Sequence, residues 1–388
     1  MGIRESAIGE DEYRARLVML RAAMARAELD CLLITDPSNM CWLTGFDGWS
    51  FYVHQGVIVT HDADPLWWGR MQDVAGAHRT MWMAPDRAVG YAEHYIQTPE
   101  RHPMEDVAQH LRGRVCVEMD NYYITAQAYA VLACSDLNLV DATGLANWCR
   151  AVKSETEIGY MREAARISAA VVDGMADRIA PGVPKNEVVA EAFRDAIRGV
   201  GDDWGDYPAI VPLVPSGADA AAPHLTWDGR PFVEGEATTI EIAGCYRRYH
   251  APLCRSVFLG DPPDEMKRAE EAVIEGLEAG LEAARTGNQA RDVAAALNRS
   301  LNKIGIERTA RCGYPIGLSY PPDWGERTMS FRAEDDTVLE PNMTFHFMPG
   351  LWLAGWGLAI TESIRITEDG PAECFCDRPR GMIVKRQA

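Results

Sequence analysis

Hydrophobic and polar residues alternate along the first half of Thr238–Val257 in a pattern that predicts a short buried β-strand. Ile240 and Ile242 lie on one side of this strand and Glu241 on the other, because successive side chains point to opposite faces. A carboxylate in an apolar strand is costly unless it is paired, hydrogen-bonded or used in chemistry. Glu241 is therefore either a functional group or one half of an ion pair. The nearby candidate partners are Arg247, Arg248 and Arg255.

The first 150 residues alternate between patterns typical of helices and of strands. Apolar side chains recur at spacings of three and four over residues 12–28, which predicts an amphipathic helix. A second helix is predicted near residues 124–133, and a turn at 36–39. Short apolar runs predict strands at 31–35, 51–60, 65–69, 115–119 and 139–140. This alternation predicts a three-layer α/β domain over residues 1–150.

A second domain is predicted from residue 151 to residue 388. Ser154 and Glu157 have the spacing of a capping box, which marks the start of a long helix that ends before Pro181 and Gly182. Further helices are predicted at about 185–199, 264–285 and 289–304. Strands and helices are grouped in this half rather than strictly alternating, and this grouping predicts an α+β domain.

Composition excludes several classes of partner. The formal net charge of −19 and the sequence pI of about 4.9 argue against nucleic acid and against an anionic membrane surface. The chain has no run of 18 apolar residues, and its polar N-terminal stretch lacks the apolar core of a signal peptide. Its ten cysteines show no disulfide-like spacing. Together these features predict a cytoplasmic protein with reduced thiols.

The residues that could perform chemistry are dispersed rather than gathered in one short motif. No zinc-protease, hydrolase-elbow or nucleotide-binding motif is present. Glu241, His224 and Glu362 remain, together with segments interrupted by Gly and Pro at 313–326 and 346–352. A single histidine or tryptophan is more often structural than functional, but broken segments of this kind suit loops and strand ends around a pocket.

The order and spacing of these segments resemble the creatinase/prolidase family, which has the pita-bread fold. Asp36–Gly45 is similar to the N-terminal domain motif of the family, and Lys153–Ile158 is similar to its domain-entry motif. The resemblance covers nearly the whole chain. It implies an N-terminal α/β domain of the creatinase type, followed by a C-terminal pita-bread α+β catalytic domain.

Most metal-ligand positions of the family have lost their donors in this chain. The positions that carry ligands in its metal-dependent members correspond to Glu241, Pro252, Tyr314, Met348 and Thr361. Hard divalent cations need several oxygen donors, and proline offers no side-chain donor. The resemblance therefore implies a metal-independent member with no cofactor, as creatinase itself is.

A metal-independent member of the family is expected to hydrolyse a C–N bond in a small amidine. Glu241 would attack the electrophilic carbon or position a water molecule, His224 would shuttle protons, and Glu362 would assist. An amidinium substrate suits a carboxylate and aromatic faces, and a substrate carboxylate would need an arginine. Arg327 is a further candidate for that role. The expected substrate-binding residues are Tyr52, Arg70, Tyr249, Arg255, Tyr314, Tyr320, Trp324, His346, Met348 and Trp352.

Three alternatives to a metal-free cyclic-amidine hydrolase remain open. They are a dimetal peptidase, another metal-free C–N hydrolase of the creatinase type, and a non-catalytic binding module. The resemblance also implies a homodimer in which the N-terminal domain of one subunit closes the partner's pocket. The aromatic stretches 49–52 and 67–70 would then face the partner, or else form core strands.

Overall fold

The computed structural model describes residues 8–386, which fall into two compact units that divide between Arg150 and Ala151. Residues 1–7 and 387–388 lie outside the described range, and so does the first part of the polar N-terminal stretch. In the described part of the chain, no helix is both long enough and apolar enough to cross a membrane.

The first unit is built on a mixed sheet with the strand order β4-β3-β2-β1-β5-β6. The strands β3 and β4, β1 and β5, and β5 and β6 pair in parallel, whereas β2 is antiparallel to both of its neighbours. The elements in chain order are α1 Glu10–Arg26, β1 Cys31–Ile34, α2 Pro37–Thr44, β2 Gly56–Thr60, β3 Leu66–Arg70, α3 Val74–Thr80, β4 Ala88–Tyr91, α4 Pro103–Val107, β5 Arg114–Val117, α5 Ala126–Ala133, β6 Asn138–Asp141 and α6 Leu145–Cys149.

The turn predicted at residues 36–39 is wrong, because this segment begins helix α2. The Asp36 side chain accepts a hydrogen bond of 2.8 Å from the backbone N–H of Ser38, and Pro37 occupies the first turn of the helix. Asp as N-cap followed by Pro is a helix start as well as a turn signal. The helix ends at Gly45, which has φ of 78°.

The two aromatic stretches of the first unit have different environments. Trp67 and Trp68 in β3 are fully buried, so this stretch belongs to the core and not to a partner-facing surface. Trp49 and Tyr52 are 57% and 67% exposed and lie in the turn region before β2, which begins only at Gly56.

The second unit combines four helices with three sheets in the described residues. A sheet with the order β15-β8-β7 contains one long hairpin, and a second sheet has the order β14-β13-β10-β9, while β11 and β12 pair alone. The elements are α7 Glu155–Arg178, α8 Lys185–Arg198, β7 Ala237–Tyr246, β8 Tyr249–Leu259, α9 Asp264–Ala283, α10 Ala290–Asn302, β9 Gly313–Pro315, β10 Thr344–Phe347, β11 Gly350–Leu353, β12 Trp356–Ala359, β13 Glu362–Arg365, β14 Glu373–Cys374 and β15 Ile383–Lys385.

The capping box predicted for the long helix is confirmed. The backbone N–H of Ser154 donates to Glu157 Oε2 at 2.8 Å, and the N–H of Glu157 donates to Ser154 Oγ at 3.2 Å. These bonds satisfy two of the amides that a helix N-terminus leaves without partners, which explains why α7 begins at Glu155.

The β7–β8 hairpin packs its apolar face against α7. Ile240 and Ile242 lie in one buried cluster with residues of α7. The hairpin approaches the helix most closely at Gly244, where a Cβ atom would meet the carbonyl oxygen of Ala164 at 2.3 Å. The N–H of Gly244 donates to Ser168 Oγ at 2.7 Å. With this face against the helix, the alternate residues of β7, including Glu241, point to the opposite side.

Candidate functional site

Glu241 lies near the middle of β7 and keeps partial solvent access, whereas its neighbours in the strand are buried. Its backbone exchanges hydrogen bonds with Leu213 at 2.9 and 3.0 Å. Among the described residues, no group donates a hydrogen bond to its carboxylate and no cation lies in salt-bridge range of it. Burial raises the pKa of Glu241 to about 7, so a carboxylate that a small molecule can reach is close to its midpoint of ionisation at neutral pH.

The interpretation of Glu241 as one half of an ion pair is wrong, because each candidate arginine has other contacts. Arg255 pairs with Glu362 at 2.7 Å. Arg248 lies 3.7 Å from Asp206, and Arg247 lies over aromatic rings. A partly buried carboxylate without a cation is the arrangement that a cationic ligand would complement.

Arg255 and Glu362 form a buried ion pair that ties β8 to β13. Arg255 Nη1 donates to the carbonyls of Cys254 and Thr361 at 2.9 and 2.7 Å, and its Nε donates to the carbonyl of Pro379 at 3.0 Å. Its Nη2 donates to Glu362 Oε1 at 2.7 Å. All three guanidinium nitrogens are therefore engaged within the protein, and the side chain is buried, so Arg255 is not placed to bind a substrate carboxylate.

Glu362 is fully buried and contacts two cations, Arg255 and Arg380, rather than Glu241. Burial raises the pKa of Glu362, and the two arginines oppose that shift. Its Oε2 atom is buried without a hydrogen-bond partner in the described part of the chain. The structure does not bring Glu362 together with Glu241, so the assisting role expected from the sequence has no geometric support.

Four side chains and one backbone N–H from separate segments form one hydrogen-bond network. Tyr314 of β9 lies with its hydroxyl 3.0 Å from His346 Nδ1 and 2.7 Å from Trp324 Nε1. His346 of β10 lies with Nε2 2.8 Å from Thr361 Oγ1, and Thr361 Oγ1 accepts from the N–H of Cys254 at 2.8 Å. Cys254 is the register partner of Glu241 across the hairpin. The network therefore ends on the strand that pairs with the Glu241 strand.

Charge and burial keep the network uncharged at neutral pH. Burial lowers the pKa of His346 to about 3. Burial, and then the nearby charge of Glu241, raises the pKa of Tyr314. Cys254, whose N–H donates to Thr361, pairs with Glu241 across the hairpin, so the Thr361 end of the network lies beside the Glu241 strand.

His224 is exposed and follows a short 3-10 helix at Gly217–Ala221. Two residues further on, the carbonyl of Thr226 accepts a hydrogen bond of 3.0 Å from the N–H of Val214, and Val214 follows the residue that pairs with Glu241. The segment that carries His224 is therefore attached beside the Glu241 strand. No described residue makes a hydrogen bond, an ion pair or a ring contact with the His224 imidazole, and the residue is exposed, so the ring is accessible to a ligand.

Four other candidates of the second unit have mainly structural contacts. Tyr249 is buried and donates to Glu157 at 2.7 Å, and Tyr320 is buried beside Arg248. Met348 is half-buried, and its N–H donates to the carbonyl of Cys312. Trp352 is half-buried with a guanidinium 5.5 Å from its ring centroid.

Two candidates, Tyr52 and Arg70, lie in the first unit. Arg70 is ion-paired with Glu93 at 2.5 Å. Exposed Tyr52 lines a cavity of about 180 Å³ within that unit, beside His54 and His102.

Arg311 is a candidate that the sequence reasoning missed. Its guanidinium carbon lies 4.6 Å from the centroid of the Tyr314 ring, and the residue is exposed. Within residues 8–386, no acceptor or carboxylate pairs with this guanidinium. The sequence did contain a sign of this residue, because Arg311 comes just before the Gly- and Pro-interrupted segment that begins at Gly313. Binding residues lie in such irregular segments more often than in regular strands.

The residues at the family's ligand positions do not fit a divalent metal centre. Glu241 is the only carboxylate among them, and Pro252, Tyr314, Met348 and Thr361 supply no second anionic oxygen. Tyr314 and Thr361 are already used in the hydrogen-bond network. Among the residues that the structure describes, no three His, Cys, Asp or Glu side chains are grouped to hold a metal ion.

Comparisons with known proteins agree with this architecture. Residues 159–368 match the model of metallopeptidase family M24, and residues 16–152 match the creatinase/prolidase N-terminal domain. The chain is 53% identical over 394 residues to ectoine hydrolase of Halomonas elongata, covering 97% of this chain and 98% of that protein. It is 26% identical to the probable dipeptidase PepE of Mycobacterium tuberculosis, covering 96% of each chain.

Solved structures of dipeptidases share the fold. The Xaa-Pro dipeptidase from Bacillus anthracis superposes with a TM-score of 0.81 at 22% identity, covering 96% of this chain and all of that one. The prolidase from Pyrococcus horikoshii also gives a TM-score of 0.81, at 18% identity, covering 95% of this chain and all of that one. At these identities the likeness establishes the pita-bread fold alone.

The buried ion pair predicts that Glu362→Gln destabilises the wild-type protein but stabilises the Arg255→Met variant. Arg255→Met should lower the free energy of unfolding by about 3–5 kcal/mol, because it leaves Glu362 buried without its main cation. Adding Glu362→Gln should then restore part of that loss, whereas Glu362→Gln alone should destabilise. Urea unfolding measures all four members of the cycle.

The exposed pair of Arg378 and Asp173, 2.7 Å apart, provides the control for this cycle. Arg378→Met should cost no more than about 1 kcal/mol. Additive losses for Arg255→Met and Glu362→Gln would show that the two side chains are not coupled.

Proposed function

The chain belongs to metallopeptidase family M24, with a creatinase/prolidase N-terminal domain, and we propose that it is a metal-independent ectoine hydrolase. Membership at this level of similarity makes it a hydrolase of C–N bonds. In the proposed reaction, water opens the cyclic amidine of ectoine to N-acetyl-L-2,4-diaminobutyrate. The observation that carries the proposal is the accessible carboxylate of Glu241, which no described cation neutralises. The 53% identity to the Halomonas elongata enzyme supports the choice of substrate.

Ectoine has two charged groups for the site to recognise, a delocalised amidinium and a ring carboxylate. The amidinium would supply the positive charge that Glu241 lacks within the protein, and this contact would favour the ionised carboxylate in the complex. Hydroxyectoine has the same amidinium and should enter the same site.

The proposed mechanism begins with oxygen addition to the amidinium carbon. Glu241 either attacks this carbon itself or removes a proton from a water molecule that does so, and the C=N electron pair moves to a ring nitrogen. On the water route, the added hydroxyl loses its remaining proton as the C–O double bond forms, the C–N bond breaks and the ring nitrogen leaves as an amine. On the covalent route, loss of the ring nitrogen leaves an imidate ester on Glu241, and a water molecule then hydrolyses this ester to the amide product and the free carboxylate. His224 is proposed to deliver the proton that this nitrogen needs, because its imidazole is exposed beside the Glu241 strand.

The proposal of metal independence is supported by the donor set and by the chemistry of the proposed substrate. An amidinium carbon is already electrophilic because the group carries a positive charge, so it needs no Lewis acid to activate it. The residues at the family's ligand positions supply one carboxylate, which is too little for a pair of dications.

Arg311 is proposed to bind the ring carboxylate of ectoine. Its guanidinium lies over the ring of Tyr314, whose hydroxyl belongs to the hydrogen-bond network that reaches Thr361. The sequence candidate Arg255 is engaged with four acceptors, whereas Arg311 has all of its donors available for a bidentate contact.

Turnover of ectoine with and without EDTA is the first test of this function. Purified enzyme should release an N-acetylated diaminobutyrate at the same rate under both conditions, and NMR of the product identifies the bond that opens. Activity that EDTA abolishes and a divalent metal restores would overturn metal independence. Absence of turnover in both conditions would overturn the assignment to ectoine.

The raised pKa of Glu241 predicts the pH dependence of kcat/KM. The group must be ionised to react, so kcat/KM should fall about tenfold per pH unit below pH 7 and level off above it. In the pH profile of kcat, the fall at acidic pH should occur at a lower pH than in the profile of kcat/KM, because the bound amidinium stabilises the charged carboxylate. Glu241→Gln should lose at least about 10³-fold in kcat, as expected for a nucleophile or base.

His224→Ala distinguishes the two groups in the same pH profile. It should lower kcat about 10²-fold or more while the limb near pH 7 remains, since Glu241 is still present. Near-normal turnover by folded Glu241→Gln would refute the mechanism. An unchanged kcat in His224→Ala would refute the proposed role of His224 as the proton donor.

The role of Arg311 predicts a change in substrate binding rather than in the chemical step. Arg311→Met keeps an apolar contact with Tyr314 but loses the charge, and it should raise KM about 10- to 100-fold with kcat within a few-fold. Arg311→Lys should give an intermediate KM. Exposed Arg291 is the matched control, and Arg291→Met should leave KM unchanged. Equal KM values for Arg311→Met and wild type would exclude the contact.

A further inference from the structure

His224 lies in the middle of a loop whose two ends are anchored to different elements of the second unit. The loop runs from Asp219 to Arg230. In the described part of the chain, the His224 imidazole makes no hydrogen bond, ion pair or ring contact of its own. The position of the imidazole therefore depends on the backbone of the loop, and that backbone depends on what holds the two ends.

The first end of the loop is fixed beside β7, the strand of the candidate catalytic carboxylate. Ser216 pairs with Thr238 of β7, and their side-chain hydroxyl oxygens lie 2.8 Å apart. Directly after Ser216, the 3-10 helix at Gly217–Ala221 packs closely on β12, where a Cβ atom on Gly357 would overlap the carbonyl oxygen of Ala220. This end of the loop is therefore held against two strands.

The second end of the loop is fixed to α8. Asp228 Oδ1 lies 3.4 Å from the ammonium nitrogen of Lys185, which is buried at the first residue of that helix. The ring of Trp227 contacts the ring of Phe193 in the same helix, with 6.3 Å between the ring centroids. This end is thus attached to a helix, whereas the first end is attached to strands.

The side chain of Arg230 joins the two ends of the loop. Its Nε donates to Asp228 Oδ2 at 2.7 Å, and its Nη2 lies 2.6 Å from the same oxygen and also donates to Asp219 Oδ2. The backbone N–H of Arg230 donates to Asp228 Oδ1 at 2.8 Å. The guanidinium lowers the pKa of Asp228 to about 2, so this pair is ionised at neutral pH. One cation therefore contacts a carboxylate from each end and holds two like charges close together.

We infer that Arg230 is a positioning residue for His224, because its guanidinium closes the loop and so holds the imidazole where it can deliver a proton. This role rests on the proposed function. Without the guanidinium, Asp219 and Asp228 would repel each other at the base of the loop, and the residues between them would have a wider range of backbone conformations.

Proton transfer is the step that depends on this placement. In the proposed reaction, the imidazole of His224 gives a proton to the ring nitrogen as the C–N bond breaks, and it recovers one from the water molecule that adds to the carbon. Arg230 exchanges no proton in either event. A small displacement of the imidazole is enough to slow the transfer, because a general acid must lie within hydrogen-bond reach of the atom that it protonates.

Limited proteolysis tests the closure of the loop without any substrate. Leu225 is 47% exposed beside His224, and chymotrypsin cleaves after leucine in loops that open locally. Arg230→Met should be cut there about 3- to 10-fold faster than wild type, with the site identified by mass spectrometry. Arg194→Met, which loses an exposed ion pair of 2.6 Å to Glu191 in α8, is the control and should be cut at the wild-type rate. Equal rates for Arg230→Met and wild type would refute the closure.

Kinetics on ectoine test the effect on proton transfer. Arg230→Met should lower kcat about 3- to 30-fold with KM within a few-fold, which is a smaller loss than that of His224→Ala. In the His224→Ala background the same substitution should leave kcat unchanged, because there is no imidazole to place. A merely structural role would lower kcat by the same factor in both backgrounds. That result, an unchanged kcat in Arg230→Met, or a change in KM alone would overturn the inference.

Two further variants identify the contact that closes the loop. Arg230→Lys keeps a positive charge between the two carboxylates and should have a kcat between those of Arg230→Met and wild type. Asp219→Asn should lower kcat in the wild-type enzyme but not lower it further in Arg230→Met, because the ion pair is already lost. Additive losses would show that Arg230 does not act through Asp219. Wild-type enzyme inactive on ectoine would refute the proposed function and the kinetic role of Arg230, while the rates of cleavage at Leu225 would still decide whether Arg230 closes the loop.

Discussion

The buried guanidinium of Arg255 requires several chain segments to meet in one arrangement. It donates to carbonyls at Cys254, Thr361 and Pro379 and to the carboxylate of Glu362. A buried cation is tolerated only when its donors are satisfied, so these segments must reach their positions together. One consequence is that Thr361 is placed against β8, where its hydroxyl meets both the N–H of Cys254 and the ring of His346. The structural ion pair thus sets the geometry of the network beside Glu241.

Glu362 and Glu241, two carboxylates of the second unit, have different local environments that suit them to different roles. Glu362 is fully buried and neutralised by arginines, and it holds strands together. Glu241 keeps partial access and has no described cation, so its charge is stabilised only when a cationic ligand arrives. Burial raises the pKa of both groups, but only Glu241 is left with a carboxylate that a substrate could reach. An accessible carboxylate of this kind is suited to react.

The lost ligand positions of the M24 family have taken on a different use in this chain. Tyr314 and Thr361, at two of these positions, are the two ends of a neutral hydrogen-bond network through His346. A metal pair would polarise a substrate by its charge, whereas the proposed site receives a substrate that is already charged and supplies one anion. This change accounts for a pita-bread fold without the donors that a dimetal centre needs.

Local sequence determined much of the fold and the identity of the central carboxylate. The capping box at Ser154, the alternation of Ile240, Glu241 and Ile242, and the separate segments around Tyr314 and His346 could all be recognised from neighbouring residues. Local reasoning failed where one signal fits two structures, as at Asp36, which caps a helix instead of starting a turn.

Tertiary structure decided which of the candidate residues meet. Arg255 and Glu362 are 107 positions apart and form an ion pair that left Glu241 without an arginine, although Arg255 is far closer to Glu241 in sequence. Tyr314, His346 and Thr361 acquire their donor and acceptor roles only when β9, β10 and the start of β13 are assembled. Helix caps and strand alternation depend on residues a few positions apart, so the sequence alone determined them. Ion pairs and hydrogen-bond direction depend on which distant atoms share a buried space, and only the folded chain decides that.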